Sequence, residues 1–212
     1  MAETKPVTEG RSLLAWSRRL TPRRDRRGVL PRLWLVSDPV RLPDPCAAAA
    51  RLPRGAGVLA RGLAPAVLQR LRQVVRRRGL VLLLGGDPAG ALRARCGLHL
   101  PDRPPPGTLV AFLAARRRGA PWARLSVAVH GRAAVARARR LHADCGFVSP
   151  AFATASHPGA AALGPLRWAA LASGQGQAAI ALGGVAPGTA GRLPRRGAGR
   201  AAGLAAIGAL RA

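Results

Sequence analysis

Short apolar runs recur along the chain from residue 32 onward, and longer segments of helical periodicity separate several of them. The eight runs lie at residues 33–38, 56–60, 80–87, 96–100, 124–130, 145–149, 178–184 and 201–209. Runs that stay apolar at consecutive positions are typical of strands in a parallel sheet that is covered on both faces. The pattern therefore predicts eight buried strands.

The segments between several runs are amphipathic and rich in alanine, leucine and arginine. They lie at residues 65–79, 107–119, 131–143 and 164–173. In the first segment Leu68, Leu71 and Val75 recur at helical spacing, and Gly79 stands where a helix C-cap is expected. Alternation of strands and helices repeated eight times predicts an α/β fold, a single (β/α)8 TIM barrel. A doubly wound open sheet is the alternative.

Polar residues and glycines collect where the predicted strands end. The residues at these positions are Asp38, Arg61, Asp87, His99, His130, Ser149, Gly183, Gly184 and Gly208. Barrel enzymes place their reactive groups at the carboxyl ends of the strands, so this distribution favours the barrel and predicts a functional site on that face.

Five of the polar residues also have a structural interpretation. Asp38 suits a helix N-cap or a hydrogen bond at the barrel rim, and His99 suits packing at the rim. Asp144 precedes the sixth strand, on the face opposite to the site, and His142 lies at a helix end where solvent surrounds it. For His130, a hydrogen bond at the rim is the alternative to a catalytic role.

Charge is densest in residues 1–31, which predict a basic, flexible N-terminal tail with one helical turn near residues 13–16. The alternative is an arm that binds anions. The barrel is then expected to span residues 32–212.

The formal net charge is +27, and all but one of the 35 basic residues are arginine, which is typical of GC-rich coding. Aromatic residues make up only 3% of the chain, so the platforms on which single-stranded nucleic acid stacks are scarce. We expect phosphorylated small ligands rather than a specific nucleic-acid partner.

The cysteines and the apolar runs indicate the cellular compartment and whether a membrane partner is expected. Cys46, Cys96 and Cys145 are far apart and lack zinc-ligand spacing, which favours the reducing cytoplasm. No apolar run approaches the length of about 18 residues that a membrane span needs, so no membrane partner is expected. The sequence leaves the oligomeric state open, with a homodimer as one option.

The glycine-containing stretches ALGGV (181–185) and AIGAL (206–210) follow the seventh and eighth strands. Barrels commonly bind phosphate in these two loops, through backbone N–H groups that glycine lets a ligand approach. The loop SPAFATASHPG (149–159), after the sixth strand, adds the hydroxyls of Thr154 and Ser156. These features predict a phosphate site, and the alternative is that the glycines only allow tight turns.

A series of motifs resembles the thiamine phosphate synthase superfamily, which includes the thiazole tautomerases. The motifs, in chain order, are LWLVSDP, GDP, GLHLP, FVSPAFATASHPGA, LGPLRWAAL, ALGGV and GLAAIGAL. The resemblance implies a barrel that couples a hydroxymethylpyrimidine pyrophosphate with a thiazole phosphate, giving thiamine phosphate and pyrophosphate. It also implies Mg²⁺ as the cofactor and ionisation toward a pyrimidine carbocation.

The resemblance implies roles for individual residues. Arg61 matches a contact of the pyrophosphate or pyrimidine, and Asp87 matches a magnesium ligand. The positions that match the family's loop after strand 6 and its thiazole phosphate site are Thr154, Ser156, His157, Gly164, Gly183 and Gly184.

Several positions depart from the family pattern. Gly86 stands in place of an asparagine, and residues 101–104 read PDRP rather than Gly-Gln-x-Asp, so the second magnesium aspartate is absent unless Asp102 substitutes for it. The other replacements are Leu59 for a glutamine, Leu63 for a lysine and His157 for a lysine. These departures imply a weakened magnesium site.

Three functions follow from the resemblance. The first is a thiamine phosphate synthase-like transferase. The second is a metal-independent thiazole tautomerase in which His130 shuttles the proton, since histidine ordinarily titrates near neutral pH. The third is a non-catalytic regulator that binds thiamine phosphate or its precursors.

Overall fold

The computed structural model describes residues 13–102, 108–154, 161–207 and 210, and its core is a closed barrel of eight parallel strands. The strands are β1 (Leu33–Val36), β2 (Gly57–Ala60), β3 (Val81–Gly85), β4 (Gly97–Leu100), β5 (Leu125–Val129), β6 (Cys145–Val148), β7 (Ala178–Ala181) and β8 (Ala201–Ala206). The barrel closes where β8 pairs with β1, with Leu204 opposite Leu33. The predicted TIM barrel is confirmed, and the alternative of an open sheet is wrong.

Helices lie between successive strands. They are α1 (Cys46–Ala50), α2 (Pro65–Arg78), α3 (Pro88–Ala94), α4 (Leu109–Arg117), α5 (Arg132–Arg140), α6 (Gly164–Gly174) and α7 (Pro187–Ala190). Helix α2 shows why the sequence pattern works: Leu71 and Val75 are buried, and Gly79 ends the helix with a left-handed φ of 62°.

Aromatic rings fill the barrel interior. The Phe147 ring packs edge-on against Trp34, with centroids 5.3 Å apart, and against His99, at 5.2 Å. Gly57 faces the Trp34 ring so closely that a Cβ there would collide with it. The barrel is therefore a packed core, and ligands have access only at its two ends.

The segment before β1 differs from the predicted tail. Residues 13–18 are helical, and Arg24–Asp25 pairs with Gly28–Val29 in an antiparallel hairpin. Leu13 and Leu30 are buried against the barrel. Residues 13–31 thus cover the N-terminal face of the barrel instead of extending from it, while residues 1–12 lie outside the described part of the chain.

A cluster of buried ion pairs fixes this hairpin, and we name it the basal ion cluster. It consists of Asp25, Arg27, Arg116, Arg124 and Asp144. Arg124 Nε donates to Asp25 Oδ2 at 2.6 Å, and both side chains are only 6% exposed. Burial favours the neutral form of Asp25, but hydrogen bonds and charge from Arg124 outweigh it and lower the pKa of that carboxyl.

Asp144 is the second anion of the basal ion cluster. Its carboxylate accepts from Arg27 Nη1 at 3.2 Å, from both terminal nitrogens of Arg116 and from the Leu125 backbone N–H at 2.7 Å. The structural role expected for Asp144 is confirmed. The hairpin, α4 and the start of β5 therefore meet at one carboxylate.

The three cysteines are free thiols. Burial raises the pKa of Cys46 to about 11 and that of Cys96 to about 12, and it also raises the pKa of Cys145. These thiols stay protonated near neutral pH and are poor nucleophiles. Among the described residues, no helix has the length and apolarity needed to span a membrane.

Candidate functional site

Arg61 lies directly after β2 on the C-terminal face, and neighbouring groups fix its guanidinium. Its Nε donates to the Ser37 carbonyl at 3.2 Å, and its Nη2 lies 3.6 Å from Asp38 Oδ2. Burial lowers the pKa of Arg61, and the Asp38 charge opposes that effect, so the guanidinium remains cationic. The arginine is thus held in a fixed position at the barrel mouth.

Asp38 is fully engaged in holding arginines. Its Oδ1 accepts from the Val40 and Arg41 backbone N–H groups, and its Oδ2 accepts from Arg41 Nη2 at 3.0 Å. The side-chain hydrogen bond from Arg41 is the main reason that the pKa of Asp38 falls to about 2. The rim hydrogen-bonding role expected for Asp38 is confirmed.

Asp87, the predicted magnesium ligand, caps helix α3. Its Oδ1 accepts from the Gly90 N–H at 2.8 Å, and the side chain is exposed at the rim. Gly86, at the position of the family's asparagine, has a φ of 75° and donates its N–H to the His99 carbonyl at 2.8 Å. Gly86 therefore allows the left-handed backbone conformation at this turn, and it has no side-chain oxygen that could bind a metal.

The described residues do not fit a magnesium site of the kind that the family implies. Asp38 is saturated by arginines, and Asp102 Oδ1 lies 3.8 Å from Arg137 Nη1. Within the described ranges, no three His, Cys, Asp or Glu residues come together as a metal-binding group. Residues 103–107 read RPPPG and contribute no carboxylate. Asp87 is thus the one described carboxylate at the rim without an arginine partner, and the second aspartate of the family's site is missing from the described residues.

His99 lies inside the barrel, beneath the mouth. Its Nδ1 is 2.9 Å from Ser126 Oγ. Its pKa falls to about 3, mainly because of burial, and the charges of Arg61, His130 and Arg137 contribute to the same shift. A neutral imidazole packed against Phe147 confirms the structural role expected for His99, although it lies deeper than the rim.

His130 stands at the end of β5, with one ring nitrogen occupied. Its Nδ1 lies 2.9 Å from the Ser149 carbonyl oxygen and 3.3 Å from Ser149 Oγ. The carbonyl only accepts, so Nδ1 carries a proton and donates it to that bond. Among the described residues Nε2 has no partner, and the side chain is exposed. This geometry leaves Nε2 free to exchange a proton with a ligand.

The loops after β6 and β7 are joined by backbone hydrogen bonds. The Ala151 N–H donates to the Leu182 carbonyl at 2.8 Å, and the Phe152 N–H donates to the Gly183 carbonyl at 3.0 Å. Gly183 and Gly184 have positive φ values of 85° and 62°, and a Cβ on Gly184 would collide with backbone oxygens of the β6 loop. Close packing therefore requires these glycines whether or not a ligand is bound.

Gly183 and Gly184 nevertheless keep N–H groups that donate to no other group of the described chain. Backbone N–H donors at adjacent positions in a turn are groups that can bind phosphate oxygens. We name this pair the β7 cradle.

The other predicted phosphate residues differ in what the structure shows. Gly164 begins α6 with a φ of 66°, and its N–H donates to the Ala151 carbonyl at 3.0 Å, so that donor is occupied. Thr154 is half-buried in the β6 loop. Ser156, His157 and Gly208 lie outside the described residues, and their roles stay predictions.

Two arginines near the mouth have no counterpart in the sequence analysis. Arg192 lies over the Phe152 ring, 5.3 Å from its centroid, beside the β6 loop. Arg137, on α5, donates from Nη1 to the Pro101 carbonyl at 2.8 Å, and its buried Nη2 has no partner in the described chain. Neither position carries a sequence signal, because arginines occur throughout this chain and only the fold brings these two to the mouth.

The structure is a (β/α)8 barrel that carries the β7 cradle and Arg61 on its C-terminal face, the face where barrel proteins commonly bind phosphate. A family model described as "Thiamine monophosphate synthase" matches residues 62–207, more than half of the chain. The chain belongs to the thiamine monophosphate synthase family.

A solved structure and a search of curated proteins complete the comparison. The fold is similar to that of a thiamine phosphate pyrophosphorylase from Pyrococcus furiosus, with a TM-score of 0.65 and 18% identity, over 83% of this chain and 85% of the other. At that identity the similarity concerns the fold alone. No curated protein matches the chain with significance.

Proposed function

We propose that the protein is a thiamine phosphate synthase-like transferase. It would couple hydroxymethylpyrimidine pyrophosphate with a thiazole phosphate and release pyrophosphate. The observation that carries this proposal is the β7 cradle on the same face as the fixed Arg61. The thiazole phosphate and the pyrophosphate need separate anion-binding groups, and the two features lie on different strands of the barrel. Family membership supports the same assignment.

Arg61 would stabilise the leaving group. When the bond between the pyrimidine carbon and the pyrophosphate breaks, the electron pair leaves with the pyrophosphate, whose negative charge grows. A cation that is already oriented by Ser37 and Asp38 need not reorganise as that charge develops, which lowers the barrier. Arg137, whose Nη2 has no partner among the described residues, would add positive charge at the mouth.

The proposal predicts that Arg61→Gln lowers kcat/KM for the coupling reaction by roughly tenfold to a hundredfold, because a charge-assisted contact to the leaving group is lost. Mass spectrometry of purified protein with both substrates, with and without Mg²⁺, measures the product. Arg70→Gln is the control, because Arg70 pairs with Asp44 on the surface and should leave the rate within about twofold. A wild-type rate no higher than the uncatalysed one would exclude the synthase function.

A thiazole tautomerase is the second candidate, and the free Nε2 of His130 favours it. Moving a proton on a thiazole ring needs a base but no metal. In that case His130→Gln should reduce isomerisation of the thiazole carboxylate phosphate by roughly a hundredfold or more, and EDTA should have no effect on the wild type. NMR of the two isomers measures the rate. Thiazole phosphate binding with neither reaction would instead indicate a non-catalytic regulator.

A further inference from the structure

Two adjoining clefts cross the N-terminal face of the barrel, opposite the candidate site. One has a volume of about 780 Å³ and runs between the hairpin, the end of α4 and the loop before β6. The other, of about 500 Å³, lies below β3 and β4. Both are lined by Arg27 and Pro121, so the two clefts adjoin there, and we name them together the basal groove.

The basal groove carries positive charge that the protein itself does not neutralise. Its exposed arginines are Arg24, Arg26, Arg117 and Arg140 in the first cleft and Arg76 and Arg95 in the second. In the described chain, none of the six side chains forms an ion pair or a hydrogen bond.

Among the residues that the structure describes, the carboxylates that line the groove are Asp25 and Asp144. Both belong to the basal ion cluster, where Arg124 neutralises the first and Arg27 and Arg116 neutralise the second. These carboxylates therefore do little to offset the six exposed arginines. A cleft lined by charges of one sign concentrates ligands of the opposite sign.

The lining also restricts the kind of anion. Guanidinium groups spread along a groove match phosphates repeated along a chain, because each fork can hold phosphate oxygens in two parallel bonds. The bases of single-stranded nucleic acid need aromatic faces to stack on. Among the described residues of the lining, Trp122 is the one aromatic; it is partly buried and packs edge-on against Phe112, with centroids 6.1 Å apart. The groove thus suits a phosphate chain that carries no bases.

We propose that the basal groove is a binding site for linear inorganic polyphosphate. The site is separate from the barrel mouth, because every segment that lines it lies at the amino ends of the strands. The proposal does not depend on the reaction proposed for the C-terminal face.

The test must distinguish binding in the basal groove from nonspecific attraction of polyphosphate by the overall positive charge of the chain. One variant replaces Arg24, Arg26, Arg117 and Arg140 with glutamine. A matched control replaces Arg51, Arg77, Arg93 and Arg167, which are exposed arginines that line neither cleft. Both variants lose four charges. Calorimetric titration with a short linear polyphosphate, at low and at physiological salt, measures the affinity.

We expect the groove variant to bind polyphosphate about tenfold more weakly, with a shallower salt dependence, and the control to stay within about twofold of wild type. Equal losses in the two variants would overturn the proposal, because overall charge would then explain binding. Tighter binding of single-stranded RNA with the same number of phosphates, lost in the groove variant, would assign the groove to nucleic acid instead. If the groove variant is misfolded by circular dichroism, the single substitutions Arg24→Gln and Arg140→Gln should each weaken binding about twofold, whereas the single controls Arg51→Gln and Arg167→Gln should leave it unchanged; equal losses in the two pairs would overturn the proposal.

Discussion

Replacing Asp144 with asparagine is expected to lower the free energy of unfolding by about 3–5 kcal/mol, because it leaves two buried guanidinium groups without their anion. Asp144 is only 6% exposed, and it is the carboxylate partner of both Arg27 and Arg116. Asparagine keeps an oxygen that can accept the Leu125 N–H, so the loss reports the missing charge rather than the missing backbone contact. Urea denaturation at neutral pH measures the change.

Asp44→Asn is the matched control. Asp44 accepts from Arg70 Nη2 at 2.6 Å, a distance as short as those in the basal ion cluster, but the two side chains are 45% and 55% exposed. Water screens that pair, so its removal should cost no more than about 1 kcal/mol. If the two substitutions destabilise the protein equally, burial does not govern the strength of these ion pairs.

The second large effect concerns His99 and acid. In the unfolded chain this imidazole takes up a proton below about pH 6.5, whereas burial keeps its pKa near 3 in the folded barrel. The unfolded state therefore binds more protons in this window, and stability falls as the pH falls. The slope should approach 1.4 kcal/mol per pH unit, or roughly 2.5 kcal/mol between pH 6.5 and 4.5.

The variant His99→Phe isolates this contribution, because phenylalanine keeps an aromatic ring against Phe147 but cannot take up a proton. Its unfolding free energy should vary less with pH over the same window, by about the amount that His99 contributes. The carboxyls whose pKa is lowered, Asp25, Asp38 and Asp44, contribute only near and below pH 4, so they do not obscure the comparison. An unchanged slope in His99→Phe would show that another group carries the acid sensitivity.

The fold could be predicted because local hydrophobicity and periodicity determine most of its elements. Residues 65–79 were expected to be helical, and α2 spans Pro65–Arg78. Residues 33–38 were expected to form a strand, and β1 ends at Val36, two residues before Asp38. The polar rim residues at the ends of the apolar runs leave the strands, which is why the observed strands are shorter than the runs.

The N-terminal hairpin could not be predicted in the same way. Residues 24–29 have no apolar periodicity, and arginines surround the single carboxylate of Asp25. The hairpin is held by Arg124, 99 residues further along the chain, and a pairing at that distance has no local sequence signal. The basic composition thus suggested a free tail where the structure has a packed segment.

Part of the candidate site could be predicted from position alone. Arg61, Asp87 and His130 each follow a predicted strand, which places them on the C-terminal face of a barrel. The structure has all three on that face. Their contacts could not be predicted, because they depend on neighbours from other strands: Asp38 beside Arg61, and Ser149 beside His130.

The basal ion cluster has a consequence for synthesis on the ribosome. Asp25 and Arg27 leave the exit tunnel early, but their partners Arg124 and Asp144 belong to the second half of the chain. During co-translational folding, the hairpin therefore cannot form its ion pairs at the N-terminal face of the barrel until β5 and β6 have been synthesised. A chain shortened to begin at residue 32 would still contain all eight strands, yet Arg124 would face the base of the barrel without the carboxylate that balances it.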